Sequence, residues 1–392
     1  METLAPPSHG RRRRPWQDLP SELLGLVLQR VPSHADRVRL RAVCRAWRAS
    51  ARLQPALPAL LPWLALRDGS FLSLPDGEVH RRVLVPDDDV AHRVSTGSTL
   101  FLVHSNDECS LMNPLSRSRE TTASRCVDLN CLRTQPGVLV DTDNIRKVVV
   151  MSDHVVAVRT GPRMYLKDVT ISIRRPQSTT VEWRWSPPGD TYSSVRDIAL
   201  FQDKLYVLTV TNYGVYPLRL YTMDIVSDNH VSFQRMIAML EDDVRDWNAG
   251  DLDHYLVASG DRLLMVKRMR EVVIVLPGPR LVIMPTWFEV FEAADLGSGR
   301  GCWRKVSTLM GRALFLSEGC SESLPAGGAQ NVGPREDCIY FLNECNRYDA
   351  RTRSLCSGVY NMRDGTFSPL PFQAAVAREG PLTSTWFFPA DT

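Results

Sequence analysis

Between Trp16 and Leu53 the apolar positions recur at a helical period. Leu23, Leu24, Val27, Leu28 and Val31 have the spacing that gathers side chains on one face of a helix. Pro20 suits a first helical turn, where a missing N–H costs nothing, and Pro32 ends the helix. Ser33, followed three residues later by Asp36, predicts the start of a second helix, because the Ser oxygen can accept an orphan N–H. That second helix is expected to carry Val38, Leu40, Val43, Cys44 and Trp47 among Arg37, Arg39, Arg41, Arg45, Arg48 and Arg52. The Pro-rich stretch that follows, residues 55–66, reads as a linker.

Beyond the linker the period becomes strand-like. Short runs rich in Val, Ile, Leu, Phe and Tyr are separated by Gly, Asp, Asn and Pro. The clearest are Thr99–Val103, Lys147–Val150, His154–Val158, Lys204–Leu208, Arg262–Lys267, Glu271–Leu276 and Cys338–Leu342. Asp76-Gly77, Ser259-Gly260-Asp261 and Asp364-Gly365 supply hairpin turns, since Asp and Gly tolerate positive φ. A long succession of hairpins must dispose of its sheet edges, and radial repetition does so more readily than one sandwich at this length. The predicted fold is therefore multidomain: a small all-α module over residues 15–54, the linker, and an all-β propeller-like domain over 67–392. There is no Trp-Asp dipeptide, and the only Gly-Gly is Gly327-Gly328, which disfavours WD40 and kelch repeats.

Composition narrows the function class. With 47 Lys and Arg against 44 Asp and Glu, the net charge of +3 demands no polyanionic partner, so nucleic acid is not expected. Residues 1–14 are Pro-, Ser- and Arg-rich with almost no large apolar side chain, and are predicted to be a disordered basic tail. Its Arg11–Arg14 run is either a nuclear address or a solvated charge run. The nine cysteines are an odd, scattered set with no Cys-x-x-Cys pair, and no Asn-x-Ser/Thr site occurs, which together favour a reducing compartment, nucleus or cytoplasm. Ala56–Leu66 is short and broken by Pro58 and Pro62, so neither a signal peptide nor a membrane span is expected.

Catalytic signatures are missing. No Gly-x-Ser-x-Gly, His-Glu-x-x-His or P-loop occurs. Gly297-Ser-Gly-Arg-Gly301 lacks a phosphate-binding Lys and reads as a turn. Cys126 with Cys131, and Cys338 with Cys345 and Cys356, miss the paired spacing of zinc sites, while Asp87-Asp88-Asp89 lacks the Gly turn and distal Glu of a calcium loop. Trp183, Trp185, Trp287 and Trp303 read as blade packing, and Tyr213 and Tyr216 as loop anchors for a protein ligand. A non-enzyme without cofactor or metal is the expectation.

The leading module is too small to bury its own apolar surface. Five Leu and Val positions left wet represent on the order of 10 kcal/mol seeking a cover. At this point the residues carry a resemblance. Trp16-Gln-Asp-Leu-Pro-Ser-Glu-Leu-Leu-Gly-Leu-Val-Leu-Gln-Arg-Val-Pro32, then Asp36-Arg-Val-Arg-Leu-Arg-Ala-Val-Cys-Arg-Ala-Trp-Arg48, resembles an F-box. The resemblance implies docking on a Skp-type adaptor and through it on a cullin-RING ubiquitin ligase, with Leu19, Pro20, Leu23, Leu24, Val27, Leu28 and Val31 as contacts. Val43, Cys44 and Trp47 are implied as the module's own packing and second surface, with Val43 and Trp47 also counted toward the adaptor. Val38 stands where the family more often has Leu, which implies looser packing there.

Further along, Leu61-Pro-Trp-Leu64, Met112-Asn-Pro-Leu115, Asp197–Tyr206, His254–Lys267, Phe288–Phe291, Trp303 with Val306, Ala313–Leu316, Asp337–Phe341 and Trp386-Phe-Phe-Pro389 are similar to plant F-box proteins with a KIB-type β-propeller. This resemblance implies a non-catalytic substrate receptor, the propeller holding a target protein while the F-box recruits the ligase. Ser95-Thr-Gly-Ser98 and the Gly/Ser-rich stretch Gly319–Glu336 depart from the family pattern. Two other functions stay open: a propeller that binds a small ligand, and an F-box protein that occludes its target without ubiquitylation.

Overall fold

The computed structural model describes residues 16–54, 57–66, 69–74, 79–80, 90–105, 108–115, 127–128, 145–151, 156–160, 170–174, 183–185, 193–211, 218–227, 230–237, 251–270, 272–275, 280–283, 287–298, 301–327, 333–342, 357–370 and 385–389. The chain divides into two compact units, residues 1–60 with 327–333 and residues 61–326 with 334–392.

In the first unit a 3-10 turn, Trp16–Asp18, leads into α1 (Ser21–Arg30), α2 (His34–Ala42) and α3 (Arg45–Arg52). Pro20 occupies the N-cap of α1, and the helix stops at Arg30 because Val31 turns extended ahead of Pro32. Ser33 caps α2 as predicted, its Oγ accepting the Asp36 N–H at 3.4 Å. The expected single second helix is two. Cys44 is extended (φ −155°, ψ 171°) and its Sγ accepts the Trp47 N–H at 3.4 Å, starting α3 afresh. The physical reason is packing: the break turns the chain so that Trp47 and Ala51 reach Leu24 and Leu28.

Those four residues, with Leu19, Leu40 and Leu57, make the core of the module. Two polar side chains brace it. Buried Arg37 donates from Nε to the Val31 carbonyl at 3.1 Å and from a terminal nitrogen to the Pro58 carbonyl at 2.9 Å. Gln54 donates to the carbonyls of Ser21 (2.8 Å) and Ser50 (3.0 Å), lying so close over α1 that a Cβ on Gly25 would meet its Oε1 at 2.0 Å. The stretch read as a linker is thus fastened at Leu57 and Pro58, and it ends earlier than residue 66, because Trp63–Ala65 is already a strand of the second unit.

Among the described residues, the second unit has six sheets of four or five strands that follow one another along the chain. The first pairs Thr385–Phe387 with Trp63–Ala65, Phe71–Leu72 and Val79–His80, so the C-terminal strand completes the blade that begins the domain. The next three run in simple chain order from Val90–Thr96, Ile145–Val150 and Ser193–Phe201. The fifth, beginning at Asp251–Ser259, is interrupted by a separate two-stranded ribbon, Val272–Val275 with Arg280–Ile283. The sixth places Glu322–Pro325 at its edge beside Arg312–Leu316, which runs parallel to Cys338–Phe341. This is the predicted propeller, with closure that leaves the first and last sheets joined through the chain ends.

Turn chemistry accounts for several hairpins. Gly260 (φ +64°) and Gly365 (φ +70°) sit in the turns expected of them. Gln202 and Asp203 make an equivalent turn with φ of +49° and +59° and no glycine. Asp76-Gly77, His154, Glu271 and Leu276 lie outside the described residues. Thr99–His104, Ile145–Val150, Arg312–Leu316 and Cys338–Phe341 are buried on both faces along most of their length; Trp386 is fully buried, donates from Nε1 to the Leu316 carbonyl at 3.0 Å and meets Phe315 edge-on.

Candidate functional site

On α1 the apolar residues divide between two faces. Leu24 and Leu28 are 1% and 0% exposed and form the module's own core, whereas Leu23, Leu26 and Val27 are 48%, 45% and 42% exposed. Leu23, Leu26, Val27 and Arg30 share one outward stripe at i, i+3, i+4 and i+7, and Arg30 folds back to donate to the Leu26 carbonyl at 3.1 Å. The stripe read from the sequence as one apolar face therefore supplies a support and a surface. Among the other residues implied as adaptor contacts, Pro20 and Val43 are exposed and Leu19, Val31 and Trp47 half-buried, Trp47 donating from Nε1 to the Trp16 carbonyl at 2.9 Å. Leu26 was missed; its signal was the position three beyond Leu23. Val38, expected in the packing, is exposed.

The second unit holds a cavity of about 510 Å³ where the first strands of several blades converge. Its lining includes Thr96, Gly97, Ser98, Lys147, Cys320, Ser321, Glu322 and Ser323. Lys147, from the third blade, donates from Nζ to both oxygens of Asp197 in the fourth at 2.9 Å. Asp197 also accepts the N–H of Ile198 at 2.8 Å and of Leu256, in the fifth blade, at 2.7 Å. Register shifts between Ile145 and Lys147 and between Val195 and Asp197 occur where these side chains are set. One carboxylate thus ties three blades together and is saturated by four donated hydrogen bonds.

The other walls are joined similarly. Gly97 donates to the Cys320 Sγ at 3.4 Å, and its carbonyl accepts the Phe388 N–H at 3.0 Å. Ser259 and Ser323 share a 2.8 Å hydrogen bond, and Arg312 holds Ser323 at both Oγ (2.8 Å) and the carbonyl (2.9 Å). Burial, together with the nearby Glu322 charge, pushes the Cys320 thiol up to about 12, so it is a neutral packing group. Burial pushes the Glu322 carboxyl up to about 7 against the opposing pull of Lys147.

Elsewhere, His254 is buried with neither ring nitrogen hydrogen-bonded among the described residues, and burial followed by the charges of Arg196 and Lys267 holds its pKa well below the usual histidine range. Trp303 packs in a blade core as expected, but Trp287 is exposed, a correction to its reading as packing. Gly297 and Ser298 lie in a short 3-10 turn, and Gly301 approaches the Met236 carbonyl so closely that a Cβ would meet it at 2.6 Å. Among the described residues no three His, Cys, Asp or Glu gather as a metal site. No described helix is long and apolar enough to cross a membrane. Arg11–Arg14, Asp87–Asp89, Cys126, Cys131, Cys345, Cys356, Tyr213 and Tyr216 lie outside the described residues, as do the side chains of Trp183 and Trp185.

Comparison with known proteins adds the family. Among curated proteins none matches. Among solved structures the crystal structure of the N-terminal domain of Nup159 aligns at 11% identity over 74% of this chain and 67% of that one, with a TM-score of 0.26. An F-box-like family profile matches residues 16–54, the helical unit described above. A KIB1-4 beta-propeller profile matches residues 71–361, from the second strand of the first blade into the sixth. The chain belongs to the KIB1-4 beta-propeller family and carries an F-box-like module ahead of its propeller.

Proposed function

We propose that this protein is the substrate-recognition subunit of a Skp-cullin-F-box ubiquitin ligase, its outward α1 face docking the Skp-type adaptor and its propeller holding a target protein. An F-box joined to a propeller is in general the architecture of such an adaptor, and such subunits are typically non-catalytic. The observation that carries the finer reading is the exposed run Leu23, Leu26 and Val27 on a helix whose other side is locked by Leu24 and Leu28. A rigid helix presenting apolar anchors at i, i+3 and i+4 is the form that helix-in-groove recognition takes. Leu19, Pro20, Val31, Val43 and Trp47 extend this proposed surface. Leu24 and Leu28 act in it from behind, by fixing the helix that displays it. Nucleus or cytoplasm is the proposed compartment, where the cysteines stay reduced.

Co-elution of the full chain with a Skp-type adaptor tests the reading. Wild type is expected to form a complex and the folded Leu23→Asp variant to lose it; a complex that survives this change refutes the assigned face.

A further inference from the structure

The cavity offers one carboxyl that makes no salt bridge with the described residues. Lys147 and Asp197 cancel each other across a bidentate contact, and Asp197 has no acceptor site left. Arg146 pairs with Glu318 at 3.4 Å, and Arg262 with Glu292 at 2.9 Å. Arg312 is spent on Ser323. Glu322 lines the cavity together with Lys147, its Oε1 so close to Gly97 that a Cβ there would meet it at 2.8 Å. It takes part in no salt bridge with the described residues. Around it stand the hydroxyls of Thr96 and Ser98, that of Ser321, which donates to the Ser317 carbonyl at 2.9 Å, and the backbone of Val148–Val150, an edge strand of its sheet. A concave site with one carboxyl outside any salt bridge and neutral oxygens around it suits a single cation carrying several N–H donors.

We infer that this cavity takes one basic side chain, a lysine or arginine presented by the target protein, with Glu322 as its counter-ion. The inference rests on the proposed receptor role and deepens it by giving the chemistry of the gripped residue. The desolvation that raises the Glu322 carboxyl explains how the site is kept without a partner: the group holds its proton when empty and gives it up when an ammonium or guanidinium arrives. Lys147, its ammonium held by Asp197, is the charged group that faces Glu322 in the cavity wall, with Cys320 neutral beside it.

The test is calorimetric titration of the full chain with Nα-acetyl-lysine methylamide, Nα-acetyl-arginine methylamide and spermidine. Binding of a side-chain probe is expected to be roughly tenfold tighter at about pH 8 than at about pH 6, as follows from a carboxyl near 7, with release of close to one proton at the lower pH. Glu322→Gln is expected to weaken it at least about tenfold and remove the proton release, while Glu292→Gln leaves it unchanged. If Glu322→Gln fails to fold, the wild-type pH dependence and proton release decide alone. No binding by either side-chain probe, binding independent of pH or of Glu322, or binding of spermidine alone overturns the inference. Adaptor association, measured separately, tells whether the receptor role falls with it.

Discussion

A lysine and an aspartate whose side chains are each 5% exposed meet where three blades converge, and what they do depends on both being present. Removing one partner of a buried pair strands the other, so Lys147→Met is expected to lower stability by about 3 kcal/mol, part of the Asp197 charge still being met by the Ile198 and Leu256 N–H groups. Denaturant unfolding at constant m checks this; a loss below about 1 kcal/mol contradicts it. Two further groups make stability depend on pH with opposite signs. Glu322 holds its proton in the folded chain up to about 7, whereas the unfolded carboxyl loses it near 4.5, so its contribution falls as pH rises across that window. His254 refuses the proton that the unfolded histidine takes up below 6.5, so its contribution falls as pH drops below that value. Between them the two slopes oppose, and Glu322→Gln is expected to gain on wild type by up to about 1.4 kcal/mol per pH unit as pH rises from about 5 to 6.5. Parallel urea-unfolding curves would count against the assignment. None of these roles was legible in the sequence: Lys147 and Asp197 are 50 residues apart, and only blade order brings them together.

Elements were legible where their signal is local. The Ser33 cap, the stop before Pro32 and the Gly260 and Gly365 turns are written in neighbouring residues, and the helices and hairpins they bound form there. The break at Cys44 was not, because the arginine-rich run around it is compatible with one helix, and only the packing of Trp47 and Ala51 on α1 selects two. The Gln202-Asp203 turn carries no glycine, so its positive φ values follow from the strands on either side. Glu322–Pro325, inside the Gly/Ser-rich stretch that departs from the family pattern, becomes a strand because an edge of its sheet is available to it. The C-terminal strand shows how far such dependence runs. It pairs with Trp63–Ala65 and, with the residue after it, buries Trp386, Phe387 and Phe388, worth on the order of 5 to 9 kcal/mol, comparable to the whole stability of a domain. A chain ending at residue 384 is expected to lose cooperative thermal unfolding by circular dichroism; a wild-type midpoint in that truncation would contradict the closure described here.

At the scale of the whole molecule, the sequence announces a helical module followed by a propeller, because each has its own hydrophobic period, and the structure divides into two units near that change. What periodicity could not do was tell the inner face of α1 from its outer one. Leu23 and Leu24 are equally apolar neighbours, and only the return of α3 decides which of them is covered. The account therefore turns on the outward face being a binding surface. Calorimetric titration of a Skp-type adaptor into the full chain and into a Leu23→Asp/Val27→Asp variant measures this. The account predicts a loss of affinity of about a hundredfold or more, with the unfolding midpoint of the free variant unchanged, since both positions are exposed. Undiminished affinity in that folded variant would contradict it.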